Sequence, residues 1–220
     1  MASEYEMGLN IQQMEDSLNR IQEIYDEFTR KVKDVSQEFV DGMSTKWNGE
    51  SCANFFQEFA SKLPTYFTDA GGIDEAYRQI INWMNYYANE NLKVDNSTYP
   101  PFNHVFQAAE VSVDISSISN QDRNIIGITP QAAKDYAEAE LNSIIAAVEE
   151  FAQETCDVAR NCGFLNQDVI QNFSTSMENN SSTMNDNFAN YKNTINEGID
   201  SKASQYTSVT QRAADDAIGR

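Results

Sequence analysis

The chain has 220 residues, with 34 acidic and 15 basic side chains and a formal charge of -19, so most of its faces would repel a nucleic-acid backbone or an anionic membrane surface. Nine glycines and four prolines are too few for a loop-rich or disordered protein, and the length is ample for a buried core. The start, Met-Ala-Ser-Glu-Tyr-Glu, has neither the basic nor the apolar part of a cleavable secretory signal, and no apolar run approaches the roughly 20 residues that span a bilayer.

The first predicted element is a long amphipathic helix. Met7, Ile11, Met14, Leu18, Ile21, Tyr25, Phe28, Val32, Val35 and Phe39 step by fours and threes, the seam of a helix that packs along its length against a partner. It starts near Leu9 or Asn10 and runs to Met43, about 50 Å at the rise of an α-helix. Outward positions are acidic early (Glu15, Asp16, Glu23) and basic late (Arg30, Lys31, Lys33), which complements the helix dipole. Gly42 falls in the last turn, where a fraying end tolerates it. Residues 43–51 then form a hinge containing Asn48-Gly49, with Trp47 at its corner.

A second seam follows in Cys52, Phe56, Phe59, Leu63, Tyr66, Ala70, Ile73, Tyr77, Ile80, Met84 and Tyr87. Because its phase crosses Pro64 and Gly71-Gly72, the spacing predicts one helix from about Ser51 to Glu90, kinked at Pro64 and soft at the glycines. Two helices with a tight break at Ala70–Gly72 are the alternative. Phe55 and Phe67 lie off this seam and are expected to cover the crossover or a second subunit. The two seams are satisfied together if the chain folds back as an antiparallel hairpin.

Residues 93–129 change texture. Pro100 and Pro101 stop any helix before them. Val111, Val113 and Ile115 alternate as a strand would, with Ile125 to Ile128 as a candidate partner, but the stretch is read as an extended crossover packing onto a helical body. Thr129-Pro130 starts the third helix, which runs to about Asn161 with the seam Ala137, Leu141, Ile144, Val148, Phe151, Thr155 and Val158. Cys162-Gly163-Phe164 reads as a second hinge and Asn166 as the cap of a fourth helix. Its seam is Ile170, Phe173, Met177, Asn180, Met184, then, shifted by one residue, Phe188, Tyr191 and Ile195. Between Ser174 and Asn190 it is rich in Ser and Asn, so packing must hold it, and the tail beyond Tyr206 is expected to fray.

The second pair of helices copies the steps of the first. The expected fold is all-α: two antiparallel helical hairpins in tandem, residues 1–92 and 130–220, joined by the crossover at 93–129 and pairing into an elongated four-helix bundle. Extended, the crossover reaches about 110 Å, enough to travel the bundle length if the hairpins lie antiparallel; an exchanged dimer also fits. Cys52, Cys156 and Cys162 read as buried or half-buried small hydrophobes, with a minor option of a Cys156–Cys162 link. The single histidine, His104, lies in the crossover and offers no triad or metal cluster, Gly-rich phosphate loops are lacking, and the carboxylates sit on solvated helix faces. No catalytic, cofactor-binding or metal-ligating residue is assigned.

A helical hairpin of about a hundred residues turning at Trp47-Asn48-Gly49, in an acidic chain without a signal peptide, resembles the WxG family of small proteins exported by type VII (ESX-type) secretion systems of Gram-positive bacteria. The resemblance covers residues 1 to about 92; in the second half Asn161-Cys162-Gly163 keeps the glycine alone and looks like a diverged copy. It implies antiparallel pairs of hairpins, here imitated within one chain as a pseudo-dimer or made as a homodimer. It also implies export in the folded state, no enzymatic activity, and partners in the secretion machinery, its ATPase and a co-secreted protein. The family often carries a Tyr-x-x-x-Asp/Glu export signal after a helix end. Tyr86 and Glu90 match it at the corresponding place, and Tyr136 with Glu140 match the spacing early in the third helix. The usual place for that signal, the C-terminus, has none. The competing expectation is an intracellular helical adaptor or chaperone-like structural protein.

Overall fold

The structure is a computed structural model that describes residues 9–70, 72–122, 124, 126–162 and 167–218. Over these residues the chain forms α1 (Ile11–Met43), β1 (Trp47–Asn48), α2 (Glu50–Lys62), α3 (Thr65–Thr68), α4 (Ile73–Val94), α5 (Ser116–Ser119), β2 (Gly127–Ile128), α6 (Pro130–Arg160) and α7 (Gln167–Ile218). It is mostly helical, in line with an all-α fold. No described helix is long and apolar enough to cross a membrane.

The side chain of Asn10 accepts the Gln13 backbone N–H at 3.0 Å and so caps the start of α1. Its seam is buried where the spacing places it: Met14, Leu18, Ile21, Tyr25, Phe28, Val32 and Phe39 are each no more than 3% exposed. Val35 is half-buried and Ser36 takes the interior position beside it.

The expectation of one kinked helix from Ser51 to Glu90 is overturned, because the stretch is divided into α2, α3 and α4. Pro64 has no N–H to give the ladder, and its carbonyl instead starts the short α3, accepting from Phe67 at 3.0 Å and Thr68 at 3.1 Å. Asp69 then leaves the helix with an extended ψ of 159°. A side chain at Gly72 would sit 2.7 Å from the Phe67 carbonyl and 2.8 Å from that of Asp69, so only glycine lets the chain turn this tightly into α4. The extra turn shifts the buried positions: Phe67 is in the core at 1% exposure, while Tyr66 is half-buried and Ala70 exposed. Phe67 therefore belongs to the interior and not to an outer face.

Two compact units share the chain. One takes residues up to Val32, Leu63–Val111 and Ala146–Met184, and the other takes Lys33–Lys62, Ser112–Ile145 and residues from Asn185 on. In the first, the Phe28 ring lies 5.7 Å from Phe67 and 5.5 Å from Phe151, and Tyr25 lies 5.1 Å from Tyr77 and 4.7 Å from Phe106. The Tyr25 hydroxyl donates to Asp74 at 2.7 Å, and the Tyr77 hydroxyl is 2.6 Å from that of Thr155, so both buried phenols are paired. Arg20 forms an ion pair with Glu154 and also reaches Glu23 and Glu27.

From Pro101 to Ala109 the first unit contains a strap without helix or strand, held by amide side chains. Asn89 donates to the Phe102 carbonyl and accepts its N–H, both at 2.8 Å. Asn85 does the same for His104 at 2.7 and 3.2 Å, and Gln22 for Gln107 at 2.9 and 3.0 Å. Phe102, Phe106 and, beyond the strap, Val111 are buried.

In the second unit the Phe39 ring packs against Phe56 at 5.0 Å and Phe59 at 5.5 Å, and Tyr191 closes on Phe59 at 5.9 Å. Phe188, Ile195 and Ile199 of α7 are buried. The tail expected to fray is instead helical to Ile218, although residues 204–218 are all exposed. Local bonds hold it, such as Gln211 to Asp215 at 2.9 Å and the hydroxyl of Thr207 to the Ala203 carbonyl at 3.0 Å. Val111 to Ile115 form no strand; Ile115 leads instead into α5. All three cysteines are buried thiols outside any disulfide. Met7, Gly71, Ile125, the second hinge at Gly163-Phe164, the cap Asn166 and the side chains of Ile170, Phe173 and Asn180 lie outside the described residues.

Candidate functional site: the Trp47-Asn48-Gly49 turn

The turn between α1 and α2 lies within the second unit and is built mostly from backbone. At the end of α1, Ser44 N–H donates to the Val40 carbonyl at 3.2 Å and Lys46 N–H to the Met43 carbonyl at 2.9 Å. The Lys46 ammonium caps the same end, donating to the Gly42 carbonyl at 2.9 Å. Gly49 has φ +131°, a region that side chains disfavour, and its carbonyl accepts from both Cys52 and Ala53 at 3.1 Å to start α2. Glu50 places an acid in the first turn of that helix.

The residues that follow α5 return to this turn. Trp47 pairs with Ile128 and Asn48 with Gly127 in the antiparallel β1–β2 contact, and Thr129 N–H donates to the Lys46 carbonyl at 2.8 Å. The Gln121 amide donates to the carbonyls of Ser44 at 2.7 Å and Trp47 at 2.9 Å, and Asn48 donates to the Asp122 carbonyl at 3.0 Å. Trp47 itself is 5% exposed, with its ring 6.5 Å from Phe55. The indole closes the interior, while the polar backbone around it is tied to the crossover. Beside the turn, Asn48, Gly49, Ala53, Ile118 and Ile126 line a shallow cavity of about 190 Å³.

Tyr136 of α6 joins the same cluster. Its hydroxyl donates to the Glu38 carbonyl at 2.7 Å, and the Lys46 ammonium lies 4.1 Å from its ring centre. Gly42 is needed here for a different reason from the expected one: a Cβ would fall 2.2 Å from the Tyr136 ring, which occupies the space a side chain would fill. Burial, with the neighbouring charges of Glu140 and Glu38, pushes the Tyr136 phenol up to about 12. Glu140 is likewise held above the usual carboxylate range by burial and by Glu38.

Tyr86 and Glu90 belong to α4 in the first unit. Tyr86 is 59% exposed with its ring 5.5 Å from Tyr87, and Glu90 pairs with Lys93 at 2.5 Å. The turn residues and this pair therefore lie in different units, whereas Trp47 and the second match, Tyr136 and Glu140, share one. The sequence places Lys46 in the hinge without showing its capping role, and it does not show Gln121 and Tyr136 as parts of the turn. Their signal was there only as a conflict, a glycine inside the last turn of an otherwise well-formed helix.

His104 lies in the strap with its ring Nε2 3.3 Å from the Asn19 amide oxygen and 3.6 Å from Glu15. Among the described residues no three His, Cys, Asp or Glu side chains are grouped as metal ligands would be. No protein-family model, curated protein or solved structure matches the chain.

Proposed function

We propose that this chain is a secreted, non-enzymatic helical protein of a bacterial type VII (ESX-type) secretion system, acting as substrate, effector or adaptor. The observation that carries the reading is the turn itself: a Trp-x-Gly placed between two amphipathic helices, its indole 5% exposed and its glycine at a φ of +131°. Both motif residues do physical work that other residue types do poorly. With the function goes the finer arrangement, two antiparallel hairpins in tandem that pair as an elongated four-helix bundle, so that one polypeptide imitates a dimer of hairpins.

The recognised surface in this reading is the candidate export signal Tyr86 and Glu90, and the partners are the secretion ATPase and a co-secreted protein. The exposure of Tyr86 favours it over Tyr136, whose hydroxyl is already engaged with Glu38. Export is tested by following the chain in culture medium of a Gram-positive host with and without an intact secretion ATPase. Release that depends on the ATPase is the expected result; retention in both strains would transfer the chain to the intracellular adaptor class. Trp47→Phe, which keeps an aromatic lid, should fold and be exported, whereas Tyr86→Ala should fold and be retained. A solution mass separates the pseudo-dimeric monomer from a homodimer.

A further inference from the structure

The strap of the first unit is held on α1 and α4 both by apolar plugs and by bonds to its main chain. Phe102 and Phe106 supply the plugs, at 5% and 8% exposure. Here the two helices also commit three amide side chains, Gln22, Asn85 and Asn89, each bonding both the N–H and the C=O of one strap residue. That exchange of two bonds with a single residue is the pairing one β-strand offers another, and it reads main chain without regard to side-chain identity. The Tyr25 hydroxyl extends the row by accepting the Ala109 N–H at 3.0 Å.

We propose that this face of α1 and α4 is a binding groove for an extended peptide, occupied in cis by the chain's own strap and able to accept, in trans, an extended segment of a partner protein. The ligand it fits has two aromatic residues four apart. The second enters the space that Phe106 fills between Tyr25 at 4.7 Å, Tyr77 at 6.1 Å and the Arg78 guanidinium at 5.7 Å. Between the aromatics a hydrogen-bonding or basic side chain takes the place of His104, near Asn19 and Glu15. Asn103 and Val105 between the aromatics, and Gln107 and Ala108 beyond them, are exposed in the strap, so these positions are free to vary. The strap acts as a built-in competitor that a partner has to displace.

The test uses the full chain and a fluorescent synthetic peptide of residues 100–110. In a variant whose own strap is weakened, Phe102→Ser with Phe106→Ser, the peptide should bind at least about tenfold more tightly than to the unaltered chain. Methylating the peptide nitrogens that correspond to Phe102 and His104 removes two donors and should weaken binding by about tenfold or more, as should Asn85→Ala with Asn89→Ala in the same background. Equal binding of the methylated peptide, or no gain in a strap variant that keeps its helical circular dichroism, would overturn the proposal. Should that variant fail to fold, the unaltered chain gives the answer by hydrogen exchange. Excess peptide should accelerate exchange at the Phe102, His104 and Gln107 amides, the methylated peptide should not, and no acceleration by either overturns it. Concentration-dependent dimers in which one copy's strap seats on another would assign the groove to self-exchange and sink the partner reading.

Discussion

The connection between α4 and α6 is fixed by side chains at its beginning and by main chain at its end. In the first unit the strap meets helices, whose own backbone groups are already spent on the helical ladder, so side chains satisfy it, the amides of Gln22, Asn85 and Asn89 together with the Tyr25 hydroxyl. In the second unit the connection meets a turn, where carbonyls and N–H groups are unspent, and Trp47 and Asn48 pair directly with Ile128 and Gly127. Where the second-unit part of the connection still faces a helix, the side-chain mode persists: Gln37 exchanges two bonds with Asp114 at 2.9 and 2.8 Å. A segment without regular structure is thus held by whichever polar groups its neighbour leaves open.

The sharpest way to break this comparison is to remove a plug. Phe106→Ala opens a gap between Tyr25 and Tyr77 and is expected to lower unfolding free energy by about 3 to 5 kcal/mol in a denaturant titration. At the other site Gly42→Ala forces the Tyr136 ring away and breaks its bond to the Glu38 carbonyl, for a loss of about 1 to 3 kcal/mol in the same titration. Smaller still are the amides taken singly. Asn85→Ala and Gln121→Ala should each lose about 0.5 to 1.5 kcal/mol. Hydrogen exchange distinguishes them, because Asn85→Ala should expose the His104 amide alone, whereas Gln121→Ala leaves two turn carbonyls unbonded and should speed exchange across Trp47 and Asn48.

The smallest effect expected is one of pH. Burial holds the Asp74 carboxyl above the usual carboxylate range, although the Tyr25 hydroxyl and the Arg78 charge act against it. The folded chain therefore binds this proton more tightly than the unfolded chain does. Its stabilisation is complete below the unfolded pKa and is lost as pH rises through the folded one. Asp74→Asn should then melt slightly higher than the unaltered chain at neutral pH, and the difference should close in acid.

The seam of α1 and the start of α6 at Thr129-Pro130 were legible in the sequence, because both depend on local rules of spacing and capping. Residues 51–90 were misread because a count of fours and threes passes through a break without noticing it. One extra turn exchanged Tyr66 for Phe67 in the interior while leaving Ile73 and Tyr77 in step. Trp47 and Gly49 were legible as a turn, but their attachment to residues 121–129 was not. Pairing between main chains leaves no mark in side-chain periodicity, and a two-residue strand is too short to show alternation. The amide clamps were hidden for a related reason, since Gln22, Asn85 and Asn89 occupy the polar face, where any hydrophilic residue looks alike. The helical tail after Tyr206 was underestimated because a terminal segment was expected to fray, when alanines and i to i+4 bonds suffice to keep the helix.

The burial of every thiol has a practical side. Cys52 is pushed up to about 12 and Cys156 is raised as well, both by burial, so these two sulfurs stay protonated at neutral pH, and all three are shielded from alkylating reagents by the interior. A cysteine introduced on the exposed helix at 204–218 would then be the one handle that a maleimide dye or crosslinker finds, without first stripping the protein of its own sulfur.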